Sequence, residues 1–247
     1  NAQVHVAGIG QGAVSKALSM IRIAQGYMRQ EGPLQSLDGT EGSLGVLVYK
    51  TLQKASPQRN ASPTEDAAEG PSMLTSYVIR CFKVRKRASD GKPVQERQSP
   101  SARAPAALAC GAGTNVGKLG GAVKDLIQKG VPCILEGIGA SAANSMVKSV
   151  LMASDYLQQA GTLKANQRLA VSPQTKRVHD AKKQGAGEAT VLQLRVSAVD
   201  SPHEGSFSGE PDTKLAEASK PQIVAGFLKE QLQNKGSVSI QASGAHA

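Results

Sequence analysis

Apolar side chains recur along the chain with a helical period in some segments and dominate extended stretches in others. Residues 14–28 and 143–157 carry apolar side chains at positions i, i+3, i+4 and i+7, which predicts two long amphipathic helices. Shorter apolar stripes at 119–127 and 224–232 predict two further helices, each followed by a glycine suited to end it. Segments rich in Val, Ile, Leu, Tyr and Thr predict strands at 45–53, 73–85, 167–172 and 190–198.

These elements occur in a repeated order. A strand, a glycine-rich turn and a helix at 4–32 correspond without a gap to residues 133–161, and a third copy of the strand and turn occupies 238–247. The helix at 119–127 likewise resembles the helix at 224–232. The repeating unit is therefore predicted to be β-α-β-α-β-β.

This order predicts an α/β chain of two-layer α+β units, in which helices cover one face of mixed four-stranded sheets. Residues 213–242 are expected to complete the unit at 2–87, within this chain or between neighbouring chains, because a half-unit would expose apolar surface. The complete unit is expected to fold by itself. The predicted division is an incomplete unit at 1–90, a basic linker at 91–104, a complete unit at 105–198, a linker at 199–212 and the front part of a third unit at 213–247.

Composition narrows the possible functions. The formal net charge is +10 with 3% aromatic residues and no Trp, which favours a polyanionic partner but disfavours recognition through stacked aromatic rings. No run approaches about 18 apolar residues, so no membrane insertion is expected. Three cysteines without C-x-x-C spacing disfavour a disulfide framework or a zinc site and indicate a reducing, intracellular compartment, either cytoplasm or organelle matrix.

The segment at 138–149 resembles the glycine-rich strand-to-helix motif of the stage V sporulation protein S family, and the preceding helix with Gly130 fits the first half of that family. Residues 12–18 resemble the equivalent turn of Alba proteins, the superfamily to which that fold is related. The resemblance covers 105–198 as a whole domain, and 2–32 and 213–247 as fragments.

The first copy departs from the second at the helix start. Ser15 and Ser19 stand where the second copy has Asn144 and Lys148, and His246 stands where the family usually has Gly. The Alba-like resemblance implies binding of DNA or RNA through basic residues near the helix starts and on the β-hairpin. The sporulation branch implies a less defined biochemistry.

Basic residues cluster at 80–87 and again at 176–183, and these clusters are predicted to occupy the same hairpin region of two copies. The resulting hypothesis is a non-enzymatic protein that binds nucleic acid with low sequence specificity, with RNA favoured over DNA. The alternative is an architectural subunit of a larger assembly, such as a ribonucleoprotein, with protein partners or self-association through the incomplete terminal units. The candidate phosphate contacts are Lys16, Arg85, Lys86, Arg87, Lys118, Lys148, Lys176, Arg177, Lys182, Lys183 and Lys220.

Other motifs have simpler interpretations. Residues 8–13 and 137–142 match the dinucleotide turn G-x-G-x-x-G/A, but the next strand supplies no acidic residue for a ribose, so the glycines are expected to permit a tight turn and close packing. Residues 112–119 lack the first glycine and the hydroxyl of a phosphate-binding loop, which indicates a plain helix start. Thr114 or Ser219 is expected as an N-cap, with Pro221 at the first helical position. The four histidines are scattered, and neither catalytic residues, a metal site nor a cofactor are predicted.

Overall fold

The computed structural model describes residues 3–8, 10–30, 43–54, 73–84, 104–164, 166–179, 188–200, 213–215, 220–234 and 238–242. Within these ranges it has nine strands and four helices. The strands are β1 Gln3–Gly8, β2 Ser43–Lys54, β3 Met73–Val84, β4 Ala106–Cys110, β5 Cys133–Gly137, β6 Gln167–His179, β7 Glu188–Asp200, β8 Thr213–Leu215 and β9 Val238–Ala242. The helices are α1 Gly10–Gln30, α2 Val116–Gln128, α3 Gly139–Gln159 and α4 Pro221–Asn234.

The segment from β4 to β7 forms a mixed four-stranded arrangement in the order β4-β5-β7-β6. β4 is parallel to β5, while β7 is antiparallel to both β5 and β6. α2 and α3 pack against each other and contact these strands. The predicted two-layer α+β class, with its mixed sheet and helices, is therefore confirmed.

The remaining strands continue the same sheet in the order β2-β3-β1-β9-β8. β1 is antiparallel to β3 and parallel to β9, and α4 packs against α1 within this one chain. β9, rather than β8, lies beside β1, in the place that β4 has beside β5. The strand predicted at the start of 238–247 therefore pairs with β1. The tandem repeat and the domain boundaries stay predictions.

The two groups of strands meet at β2 and β6, which gives one nine-stranded sheet instead of separate four-stranded ones. Val46 pairs with Val171 and Leu47 with Ala170 in antiparallel register, and the Ser172 hydroxyl donates to the Leu44 carbonyl at 3.1 Å. Above this junction α1 packs against α3. Because the junction is antiparallel, β1 and β5 run in opposite directions, and their carboxyl ends lie at opposite ends of the sheet.

We call the end of the sheet at which β5 finishes the Gly137 end, and the end at which β1 finishes the Gly8 end. The Gly137 end holds the last residues of β3, β4, β5 and β6, and the starts of α2 and α3. The Gly8 end holds the last residues of β1, β8 and β9, and the starts of α1 and α4. Helices that follow parallel strands begin at the same end of a sheet, which explains why the helix starts sort in this way.

The core lies between the helices and one face of the sheet. Alternate residues of β5 are buried against the helices, namely Cys133, Leu135 and Gly137, while Ile134 and Glu136 lie on the helix-free face and are only half-buried. The largest side chains that the helices and strands bury are Leu18, Met20, Ile21, Met28, Leu44, Leu135, Met146, Leu157, Leu194, Leu228 and Leu232. These positions include much of the apolar stripe predicted for each long helix.

Candidate nucleic-acid interface

The start of α2 is held by two local hydrogen bonds. Asn115 is the N-cap, and its side-chain oxygen accepts from the backbone N–H of Lys118 at 3.0 Å. The hydroxyl of Thr114 accepts instead from the N–H of Gly111 at 2.8 Å and closes the preceding loop. The prediction of Thr114 as the N-cap is therefore wrong by one residue, because its hydroxyl is already used within the loop. Lys118 is exposed in the first turn.

The start of α3 depends on glycine. A Cβ on Gly137 would lie 2.8 Å from both the Ala142 Cβ and the Cys110 carbonyl oxygen, so only glycine fits there without a shift. Gly139 has φ +86, which side chains rarely tolerate. The interpretation that these glycines serve a tight turn and close packing is confirmed. Between them Ile138 is the N-cap, makes no side-chain capping hydrogen bond and is 61% exposed.

Cys110 joins the two helix starts. It ends β4, and its thiol donates to the Ala142 carbonyl in the first turn of α3 at 3.6 Å. Burial raises the pKa of the Cys110 thiol, and a hydrogen bond with Thr114 partly offsets that effect. Cys81 and Cys133 are buried free thiols as well, and burial raises both of their pKa values, that of Cys133 to about 11.

The hairpin of β6 and β7 projects beyond the end of β5. Gly137 pairs with Leu192, which pairs with Thr175, and the hairpin continues for four more pairs to His179 and Glu188. Four residues of strand extend about 13 Å. Lys176 and Arg177 are exposed on this projection, and Arg177 forms an ion pair with Glu188 at 3.3 Å.

The structure therefore extends the strand predicted at 167–172 by seven residues. β6 runs from Gln167 through the buried Pro173 to His179, because its ladder with β7 continues on the far side of the proline. Lys176 and Arg177 are strand residues. Lys182 and Lys183 lie outside the described residues.

The predicted contacts divide between the two ends of the sheet. Lys118, Lys176 and Arg177 all lie at the Gly137 end, with Lys176 and Arg177 on opposite faces of the hairpin. Lys148 is half-buried in the third turn of α3, beside Ser149, whose hydroxyl donates to the Val116 carbonyl at the start of α2 at 3.2 Å. Lys16, half-buried in α1, and Lys220, exposed directly before α4, belong to the Gly8 end instead.

The basic cluster at 80–87 does not occupy the position predicted for it. Residues 55–72 connect β2 to β3, so residues 80–84 form the end of β3 that is far from this connection, and the equivalence of 80–87 with 176–183 is wrong. Val84 nevertheless ends β3 at the Gly137 end, opposite Ser43, because β2 and β6 are antiparallel. Arg85, Lys86 and Arg87 follow Val84 in sequence and lie outside the described residues.

Sequence reasoning missed the apolar residues of this end. Ile138 and Val178 are exposed, at 61% and 37%, although both are large aliphatic side chains. An isoleucine between two glycines at a helix start was the available signal, since isoleucine is among the poorest N-cap residues.

Two further observations limit the chemistry. Among the described residues there is no group of three His, Cys, Asp or Glu side chains that could hold a metal ion. Within the same ranges, each helix is too short or too polar to cross a membrane.

Comparisons with known proteins bear on one segment. The search of curated proteins gives no match. The family model of stage V sporulation protein S (SpoVS), whose members have an Alba-like fold, matches residues 106–198. This segment spans β4 to β7 and includes α2, α3 and the projecting hairpin. This match confirms the resemblance predicted from the motif at 138–149, and it is limited to residues 106–198.

Proposed function

We propose that this protein binds nucleic acid, with little sequence preference, through the Gly137 end of its sheet. One observation carries the proposal: a helix start and a hairpin far apart in sequence present exposed Lys118, Lys176 and Arg177 at the same end of the sheet. RNA remains the predicted partner, and the proposed role includes no catalytic step. The free thiols of Cys81, Cys110 and Cys133 support a reducing, intracellular location as part of the same proposal.

Charge supports this partner in preference to a neutral one. The whole chain has a formal net charge of +10, and residues that neutralise phosphates release counterions, which favours binding at low salt. The backbone N–H groups at the starts of α2 and α3 add a partial positive charge at the same end. Such contacts act on the sugar-phosphate backbone and carry no base specificity.

A salt titration tests the proposal. We expect the full chain to bind a fluorescent single-stranded RNA with an affinity that falls linearly in a plot of log affinity against log salt. The triple variant Lys118→Gln, Lys176→Gln, Arg177→Gln should flatten that slope by about two units, since each lost contact removes about 0.7. DNA of the same length and sequence serves as the comparison for the RNA preference.

Lys129→Gln is the matched control. Lys129 is exposed at the other end of α2, about 17 Å from Lys118 along the helix axis, and its substitution removes one positive charge, as Lys118→Gln alone does. The control should leave the slope within experimental error of the parent. An unchanged slope in the triple variant, or an equal change in the control, would reject the Gly137 end as the binding site.

A structural role within a larger assembly is the second candidate. It is favoured by the sheet itself, in which β4 and β8 are the outermost strands of the described part and each pairs there on one side only. Unpaired strand edges are templates for further strands. Light scattering after nuclease treatment distinguishes the two roles: a persistent high mass supports assembly through protein contacts, and a monomer mass argues against it.

A further inference from the structure

Ile138 departs from local rules in two ways. It exposes a branched apolar side chain at 61%, and it stands at an N-cap position where Asn, Asp or Ser would stabilise the helix. The same end of the sheet shows that the chain can meet this requirement, because Asn115 caps α2. Folding gives no reason for an isoleucine here, and such departures are expected where a residue serves binding.

Strand alternation sets the face on which Ile138 lies. Leu135 and Gly137 of β5 are buried against the helices, and the extended backbone of Ile138, with φ −117 and ψ 131, continues the strand. Ile138 therefore belongs to the helix-free face. On β6, Val171 and Pro173 are buried, so Lys176 and Val178 alternate to the helix-free face as well.

The register brings these residues to one place. Continuing the ladder by one residue sets Ile138 opposite Val191, which pairs with Lys176, and the pair of Val178 with Ala189 lies two rows further out. Neighbouring strands are about 4.8 Å apart, so Ile138 and Lys176 are separated by two strand spacings, or about 10 Å. On the helix-free side Lys176 therefore has Val191 beside it on the neighbouring strand, Val178 two residues along its own strand, and Ile138 on the next strand but one. We call Ile138, Val178, Val191 and Lys176 the aliphatic patch.

We infer that the aliphatic patch holds an unpaired base of a single-stranded nucleic acid, with Lys176 on the adjoining phosphate, and that the protein therefore prefers single strands to duplexes. This inference rests on the proposed function. A base has an apolar face beside an anionic phosphate, and the patch offers an apolar surface beside a cation. In a duplex the base faces are stacked on each other, and reaching one requires unstacking, which costs free energy.

The shape of the patch argues against a membrane as its partner. Membrane-surface binding uses the long apolar face of an amphipathic helix, whereas this patch has three side chains from two strands and a turn. Its size suits one or two nucleotides.

Two quantities from one titration separate the inference from the proposed function. Phosphate contacts set the slope of log affinity against log salt, while an apolar contact changes the affinity equally at every salt concentration. We expect Ile138→Ser to weaken binding of the full chain to single-stranded RNA by about fourfold at all salt concentrations, the effect of losing about one buried methylene group, with an unchanged slope. Duplex RNA should bind the variant and the parent equally.

Two variants serve as controls. Ile223 is 68% exposed in the first turn of α4 at the Gly8 end, so Ile223→Ser removes the same apolar group elsewhere and should not change the affinity. Ile138→Leu keeps an aliphatic side chain and should retain the parent affinity. The Tm of Ile138→Ser should not fall, which excludes unfolding as the cause.

The outcomes are distinct. If Ile138→Ser binds single-stranded RNA as tightly as the parent, or weakens duplex binding equally, the inference is wrong while the salt slope still supports the proposed function. If the parent shows no salt-dependent binding to RNA, the proposed function fails and the inference fails with it. Binding of Ile138→Ser to vesicles of anionic lipid more weakly than the parent, with RNA binding unchanged, would overturn the inference in favour of a membrane contact.

Discussion

In the segment at 106–198 that the SpoVS family model matches, which we call the SpoVS segment, the two helices begin at the same end of the sheet, yet their starts are built on different principles. α2 begins after Asn115, whose side chain caps the helix and which follows a loop closed by Thr114. α3 begins at an uncapped, exposed isoleucine between two glycines, one packed against β4 and one at φ +86. The first start satisfies backbone donors through side chains. The second allows the backbone to pack closely and presents an apolar side chain to solvent.

The missing side-chain cap at the start of α3 is not explained by the position of this helix in the fold. Both starts face the same solvent at the same end of one sheet, so position in the fold does not account for the missing cap of α3. Close packing accounts for Gly137, and the turn accounts for Gly139. Neither accounts for Ile138, which is why we assign it a role in binding.

The largest expected effect concerns the chemical reactivity of Cys133, the buried thiol at the first residue of β5. Burial raises the pKa of Cys133 from 9.0 to about 11, so its thiolate fraction at pH 8 should be about 100-fold below that of a free thiol. A disulfide reagent at pH 8, with Cys110→Ala and Cys133→Ala variants for assignment, should modify Cys133 at least 100-fold more slowly than glutathione. Reaction at the glutathione rate would show that the thiol is not held protonated.

The same pKa shift has a consequence for stability, with a defined sign. A folded-state pKa above the unfolded value stabilises the protonated native form, and this stabilisation is fully present below pH 9. It is lost between pH 9 and about 11, because the unfolded chain releases the proton first. We expect the Tm to fall across this window, and to fall less in Cys133→Ala than in the parent.

Gly137→Ala tests the close packing at the start of α3. The added methyl group would meet the Cys110 carbonyl oxygen and the Ala142 Cβ at 2.8 Å, and such overpacking costs about 1–3 kcal/mol of unfolding free energy. Urea denaturation measures the loss. Gly113→Ala in the loop before α2 is the control, since a Cβ there has no neighbour within 4 Å. Equal losses in both variants would contradict the contrast between the two starts.

Asn115→Ala tests the cap of α2. Removing the side-chain oxygen leaves the Lys118 N–H without its 3.0 Å acceptor, and loss of an N-cap costs about 1 kcal/mol. The variant should have a lower urea midpoint with an unchanged m-value. Asn115→Asp retains the acceptor and should stay close to the parent.

Ile138→Asn is the opposite substitution at the other start, and its effect should be the smallest. An asparagine with the extended backbone of residue 138 provides a capping acceptor and removes an exposed apolar side chain, which should raise the unfolding free energy by about 0.5 kcal/mol. Urea denaturation again gives the measurement. A loss of stability would mean that Ile138 serves folding after all, and would remove the reason to assign it to binding.

Much of the SpoVS segment could be predicted from sequence. Helices expected around the apolar stripes at 119–127 and 143–157 are observed at Val116–Gln128 and Gly139–Gln159, because these stripes face one core. The continuation of β6 through Pro173 was missed because a proline usually predicts the end of a strand. Here the pairing with β7 continues on both sides of the proline, although the proline itself has no N–H to donate. The exposed state of Ile138 was also missed, because period alone does not show which apolar residue lacks a partner.

By itself the sequence determined the elements, their buried faces and the similarity of residues 106–198 to the SpoVS family, since these depend on side chains close together along the chain. Only the tertiary structure decided that β2 pairs with β6 in antiparallel register and that β9 lies beside β1. Strand pairing uses backbone groups that every residue except proline shares in full, so local patterns do not specify a strand's neighbour or direction. Because of that pairing, Val84 lies at the same end of the sheet as Lys176, the Gly137 end. Lys16 lies at the Gly8 end.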